Sequence, residues 1–186
     1  MQYSKPSQLP DGRYYSKVTN SDGDRVIVQL NNVKLLTNFD EDDVTIGLSE
    51  QNVAKITDFD TQNLQAAKEN SVDWFTKNLP EKTLETAYTR SVSSDCMNVS
   101  KLKSKSKLLT RIYSHDKQLV DSNLLEENTV CDVVLEFSGI WFMKKTFGSV
   151  WRIVQVRMKP PPKKPKEPVY LFQDEDSSES SEEDLF

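Results

Sequence analysis

The chain has 186 residues, 36% of them hydrophobic, which suits one domain of ordinary size with tails around a single core. It carries 24 basic and 29 acidic residues, but residues 173–186 hold seven of the acids and no base; the rest is close to neutral, and the acidic total does not exclude a polyanion as partner. No run of about 18 apolar residues occurs and the opening MQYSKPSQLPDGRYYSK has no apolar h-region, so a membrane span and a signal peptide are not expected and the protein should be soluble and intracellular. Two cysteines, Cys96 and Cys131, and one histidine, His115, are too few soft ligands for zinc; no metal, cofactor or structural disulfide is expected.

In chain order, residues 1–24 form an N-terminal segment, and the domain itself spans residues 25–158. DRVIVQLNNVKLL alternates at Val26, Val28 and Leu30 and resumes out of phase at Val33 and Leu35, a strand with a bulge near Asn31 and Asn32. DDVTIGL gives a second strand. From Asp58 to Leu79 the apolar residues Leu64, Ala67, Phe75 and Leu79 fall at nearly helical spacing, with Asp58 or Asp60 as cap and Pro80 as stop. A short helix follows around Leu84, Ala87 and Tyr88. SKLKSKSKLLTRIY, NTVCDVVLEFSGIWF and FGSVWRIVQVRM then read as three strands, the last two a hairpin turning at Lys144 to Thr146.

This order makes the fold mainly β with a helical insertion. It suits an oligonucleotide-binding (OB) barrel with a helix between its third and fourth strands, or another α+β sandwich. Residues 159–168, in KPPPKKPKEP, form a basic Pro/Lys-rich linker of extended, semi-rigid character, and residues 169–186 a disordered acidic tail. No internal repeat, Gly-rich phosphate loop or nucleophile elbow occurs.

Three features carry chemistry. KLKSKSK sets Lys101, Lys103, Lys105 and Lys107 at every second position, with Arg111 and Tyr113 in the same parity; on one strand they would share a face and form a track for phosphates. The same pattern suits an edge strand guarded by lysines or a solvated loop. GIWFMKKTFGSVWRIVQVR interleaves Trp141, Phe142, Phe147 and Trp151 with Lys144, Lys145, Arg152 and Arg157, as single-stranded nucleic acid binding requires: exposed bases stack while cations hold the backbone. At least one of these two tryptophans is expected to be structural. On the last strand, Trp151, Gln155 and Arg157 should share one face and Val150, Val154, Val156 and Met158 the other. The third feature is the tail's ending, Asp184, Leu185 and Phe186, whose apolar pair a solubilising tail does not explain. Such a tail can fold back on a basic groove or plug into a partner, and Ser180 and Ser181, each with an acid three residues on, are candidates for acid-directed phosphorylation.

The Trp141 to Arg157 block, after a strand-helix-strand body and before an acidic tail with a terminal Phe, resembles the single-stranded DNA-binding proteins of large eukaryotic DNA viruses. Those are similar to phage-type replication proteins with an OB barrel. The resemblance implies a DNA-facing block and a tail anchored by Phe186 that contacts replication partners such as polymerase and primase-helicase and shields the groove when DNA is absent. It further implies a protein at sites of viral DNA replication; oligomeric state does not carry over with it, and a homodimer with exchanged tails stays open.

The expected activity is sequence-nonspecific binding of single-stranded DNA in replication, recombination or repair, with no catalysis. The alternative is an acidic-tailed protein-interaction factor, a chaperone for basic proteins or a transcription cofactor, whose aromatics are all core. His115 beside Asp116 is the one acid–base pair that invites an enzymatic reading. It sits in a turn with no nucleophile or metal cluster to serve.

Overall fold

The computed structural model describes residues 1–160 apart from Asp42 and Ser106. Short strands β1 (Gln2–Tyr3) and β2 (Ser7–Gln8) precede β3 (Tyr14–Thr19), β4 (Val26–Leu35) and β5 (Asp43–Gly47). Helices α1 (Glu50–Glu69), α2 (Ser71–Phe75) and α3 (Glu81–Ala87) come next. They lead to β6 (Tyr88–Thr89), β7 (Cys96–Lys101), β8 (Lys103–Ser104), β9 (Lys107–Leu108) and β10 (Arg111–Tyr113). A 3-10 turn at Ser122–Leu124 precedes the long hairpin of β11 (Val130–Phe142) and β12 (Phe147–Met158). The fold is mainly β, with three helices among the described residues.

The pairings return on themselves. β4 pairs antiparallel with β5 and β5 with β7; β7 runs parallel to β12, β12 pairs antiparallel with β11, and β11 with β4. Residues 1–24 are more than a lead-in: β3 adds to the far half of β11, with Trp141 opposite Tyr15 and Gly139 opposite Lys17, and carries β1 and β2 beside it.

Three sequence expectations are corrected. The helical block starts at Ser49, whose side chain accepts from the Asn52 N–H, so neither Asp58 nor Asp60 caps it; it divides at Asn70, ends at Thr76 with φ 62°, and Pro80 starts α3. Val53, Ile56 and Phe59 extend the apolar stripe N-terminally, which is why the helix begins earlier. The helices lie between the second and third strands of the closed path, not the third and fourth. SKLKSKSKLLTRIY is not one strand: a left-handed residue, Lys105 (φ 53°), folds β8 back on β9 before the chain resumes at β10. The bulge near Asn31 and Asn32 is present, opposite Asp132, with Asn32 at φ 53° and its N–H donating to Asp132 Oδ1 at 3.0 Å.

The inner face is a continuous apolar core of β4, β5, β7, β11 and β12 with α1 laid against it. Phe59 of α1 meets Phe137 and Trp151 edge-on at 5.7 and 5.2 Å. A satisfied polar knot fixes the helix in register: buried Asp60 accepts from Tyr88 Oη (2.7 Å), the Ser91 N–H (2.8 Å) and Ser91 Oγ (2.6 Å). Asn63 accepts from Tyr3 Oη (2.8 Å) and donates to Ser149 Oγ (3.1 Å). Burial, with the Asp60 charge beside it, raises the Tyr88 hydroxyl pKa well above the ordinary tyrosine value, so it stays a donor.

Candidate nucleic-acid interface

The site is decided by which way β11 and β12 point their side chains. Opposed residues share a face, and two bulges shift the alternation: Ser138 is the extra residue on β11 and Val154 the extra residue on β12. Trp151 therefore points inward, opposite Phe137, and beyond the bulge Val156 points inward while Gln155 and Arg157 point out. This corrects the expectation that Trp151, Gln155 and Arg157 share a face; a strict period of two cannot foresee the extra residue. The outer face then carries Asp132, Val134, Glu136, Gly139 and Trp141 from β11, and Val150, Arg152, Gln155 and Arg157 from β12.

Of the four aromatics of the Trp141 to Arg157 block expected to face DNA, three are core. Phe142 (7% exposed), Phe147 (1%) and Trp151 (4%) pack with Phe59, Trp74, Phe75 and Tyr88, and Trp151 Nε1 donates to Ser91 Oγ at 3.0 Å. Their faces are covered and cannot stack on a base in this conformation. Trp141 is different: it lies outward and half-buried in a groove of about 480 Å³ that crosses β7, β12, β11 and β3, shared with Arg13, Tyr14, Tyr15, Asn98 and Arg152.

Two glycines make room for this aromatic floor. A Cβ on Gly139 would fall 2.6 Å from Tyr15 Cζ and closer still to the Ser16 carbonyl oxygen; one on Gly148 would sit 3.0 Å from Trp141 Cζ2. Tyr15 thus lies over the Gly139 backbone, its hydroxyl donating to the Ser138 carbonyl, and Trp141 lies over Gly148. The rings are held against the sheet at one side and border open groove at the other. Among the described residues Arg152 has no ion-pair partner, whereas Arg13 pairs with Asp11 at 2.6 Å.

Farther along β12 a second groove, of about 290 Å³, opens between Tyr113 and Gln29 over Val134 and Gln155. Arg157 reaches it with its guanidinium on Asp132 (Nη2 to Oδ2 2.6 Å), and Lys159 Nζ lies 2.6 Å from Oδ1. Burial would raise the Asp132 pKa, but hydrogen bonds from Lys159, Arg157 and the Asn32 N–H outweigh it and hold the carboxyl below its usual range. The neighbouring Cys131 thiol is pushed up to about 12, mainly by burial, and is inert.

The expected lysine track does not form. Lys101 turns into the core, Nζ donating to the Phe39 carbonyl at 2.7 Å above the Phe39 ring. Lys103, Lys105 and Lys107 are exposed, but on the β8–β9 hairpin, where Lys103 faces Leu108 and Lys107 faces Ser104 across the ladder. The hairpin is anchored on β12 at Ile153, whose carbonyl accepts from Thr110 Oγ1 (2.6 Å) and the Leu102 N–H (3.3 Å), so its base lies between the two grooves along β12. Arg111 is exposed beside Gln155, and Tyr113 is paired with Arg157. Lys144 and Lys145 are exposed at the tip of the β11–β12 turn. Asp184, Leu185 and Phe186 lie outside the described residues. His115 lies in an exposed turn, 3.0 Å from Asp116.

Sequence reasoning passed over Arg13, Tyr14, Tyr15, Gln29 and Asn98. RYYSKVT carried a signal: Tyr15 and Lys17 alternate with Ser16 and Val18, the same cation–aromatic interleaving as in the later block.

The chain belongs to a protein family described as a family of unknown function (DUF5871), whose model matches residues 17–174. No curated protein matches it. Among solved structures it is similar to the single-stranded DNA-binding protein from bacteriophage Enc34. In complex with single-stranded DNA, that protein has 9% identity and a TM-score of 0.48, over 84% of this chain and 94% of that one. Its C-terminal truncation gives 9% identity and a TM-score of 0.49, over 86% and 94%. No helix among the described residues is long and apolar enough to cross a membrane.

Proposed function

We propose that the protein binds single-stranded DNA without marked sequence preference, along the outer face of β12 and its neighbours, and acts in replication, recombination or repair without catalysis. The observation that carries this reading is the pair of rings, Tyr15 and Trp141, seated over glycines in an open groove beside Arg152. A base needs a flat apolar surface and its phosphate a cation, and each stacked base is worth about 1–3 kcal/mol. In this reading the closed strand path is an OB-type barrel, and the groove crosses β7, its third strand, close to the face such barrels offer to oligonucleotides. Lys103, Lys105 and Lys107 take phosphates from the hairpin, and Lys144 and Lys145 from the turn. The acidic tail competes for the groove and, through Leu185 and Phe186, recruits replication proteins. Large DNA viruses are the source that the Trp141 to Arg157 block and the tail suggest.

The test is a titration of intrinsic fluorescence with oligo-dT and with duplex of equal length, on the full chain and on a chain ending at Phe172. Trp74 and Trp151 are core, so quenching reports on Trp141. Strong quenching by the single strand, weak response to duplex and tighter binding without the tail are expected. Three hairpin lysines would contribute a log–log salt slope of about −2, from roughly −0.7 per phosphate. No binding to oligonucleotide, with binding to basic proteins instead, would favour the interaction-factor reading.

A further inference from the structure

We infer that the groove beside Tyr113 is a second base-binding subsite, separate from the one at Trp141, and that the β8–β9 hairpin clamps the DNA backbone between them. This rests on the proposed function and extends it. The two grooves lie on one face of the same ladder, the first at Val150 and Arg152 and the second at Gln155 and Arg157. On the unbulged stretch of β11 opposite, the four steps from Glu136 to Asp132 span roughly 13 Å at about 3.3 Å each, too far for one base to occupy both.

The chemistry of the second groove selects a base over a phosphate. Arg157 is already engaged by Asp132, so this cation is largely spent on an internal partner. Besides Lys117, what remains is the Tyr113 ring, the Val134 side chain as an apolar floor, and the amides of Gln29 and Gln155, a surface for a base with one cation beside it. A side-chain amide offers both a donor and an acceptor, and any unpaired base presents both on its edge. Gln29 Nε2 donates to Asn31 Oδ1 at 2.8 Å, which orients that amide. Lys117, at the rim, and the exposed hairpin lysines supply cations for the connecting phosphates. The anchoring of the hairpin at Ile153 sets its base between the two grooves, within reach of the path a strand would follow from one base to the next.

The experiment uses the full chain with Tyr113→Ala and Tyr113→Phe, titrated through Trp141 quenching with two oligo-dT lengths: about four nucleotides, the low end of the range for one such barrel, and about twelve. Tyr113→Ala is expected to weaken the long oligomer by about tenfold, within the range for losing one stacked base, and to leave the short one unchanged. Tyr113→Phe, which keeps the ring, should restore the wild-type affinity for both. Unchanged quenching by the short oligomer also shows that the alanine variant is folded. Equal loss on both lengths, or loss on neither while wild-type quenching is normal, overturns the second subsite alone. Absence of quenching by any oligomer in the wild type overturns this inference and the proposed function together.

Discussion

The two faces of the β11–β12 hairpin both carry aromatic rings and set them in opposite surroundings. On the inner face, Phe137, Phe142, Phe147 and Trp151 meet rings from the helices at centroid distances between 5.2 and 5.7 Å and see no solvent to speak of. On the outer face, Trp141 and Tyr15 lie over glycine backbone, half-buried and bordering open groove. An aromatic in a basic context is therefore not a binding residue by its type. Two local devices decide the matter: a bulge, which chooses the face, and a glycine across the ladder, which lets a ring settle on the sheet without stacking into a core.

The sharpest way to break this contrast is to truncate one ring on each side. Trp151→Ala should cost about 3–5 kcal/mol of stability, as burial of a large ring and loss of the Nε1 bond to Ser91 imply, read as a lowered urea midpoint. Its folded fraction should bind oligo-dT as the wild type does; a folded variant with lost affinity would put Trp151 on the binding side after all. Gly139→Ala tests the cushion. Its new methyl meets the Tyr15 ring and the Ser16 backbone together, and backbone cannot yield as a side-chain tip can. About 1–3 kcal/mol of destabilisation is expected by thermal unfolding, with a weakened first groove because Tyr15 must lift.

Trp141→Ala is the converse case, with about 1–3 kcal/mol lost in oligonucleotide affinity and less than about 1 kcal/mol in stability. Affinity measured by anisotropy of a labelled oligomer avoids reliance on the missing fluorophore. A loss confined to stability would make Trp141 another core residue and remove the difference between the faces.

Much of the fold was legible because it rests on local signals. The Asn31–Asn32 bulge showed as a break in alternation, and the Lys144–Thr146 turn as a polar interruption between two apolar runs; both are present. What failed were features with no local signature. The bulges at Ser138 and Val154 leave the composition of their strands unchanged, yet each shifts every later residue relative to a strict alternation. The lysine parity was real, but a single left-handed residue at Lys105 converts a line into a hairpin, and nothing in KSKSK announces it. The pairing of β3 with β11 is long-range, so Tyr15 could be placed beside Trp141 only once the sheet was known.

The smallest effect tests the far end of the outer face, where Asp132 holds Arg157 and Lys159. Asp132 is buried, and burial alone would favour its neutral form; the bonds from Lys159, Arg157 and the Asn32 N–H reverse that and depress its pKa. A carboxyl depressed in the fold contributes stability that is present above its unfolded value, near 3.9, and is lost as pH falls through the lower folded value. Because Arg157 and Lys159 remain partly exposed, the contribution is about 1 kcal/mol. Unfolding free energies measured from neutral pH down to about pH 2 should fall more for the wild type than for Asp132→Asn, which has no charge to lose. Parallel curves would mean that the ladder alone holds this end of the sheet. Arg157 would then be free to exchange Asp132 for a phosphate at little cost, which would count against the proposed reading of the second groove as a base subsite.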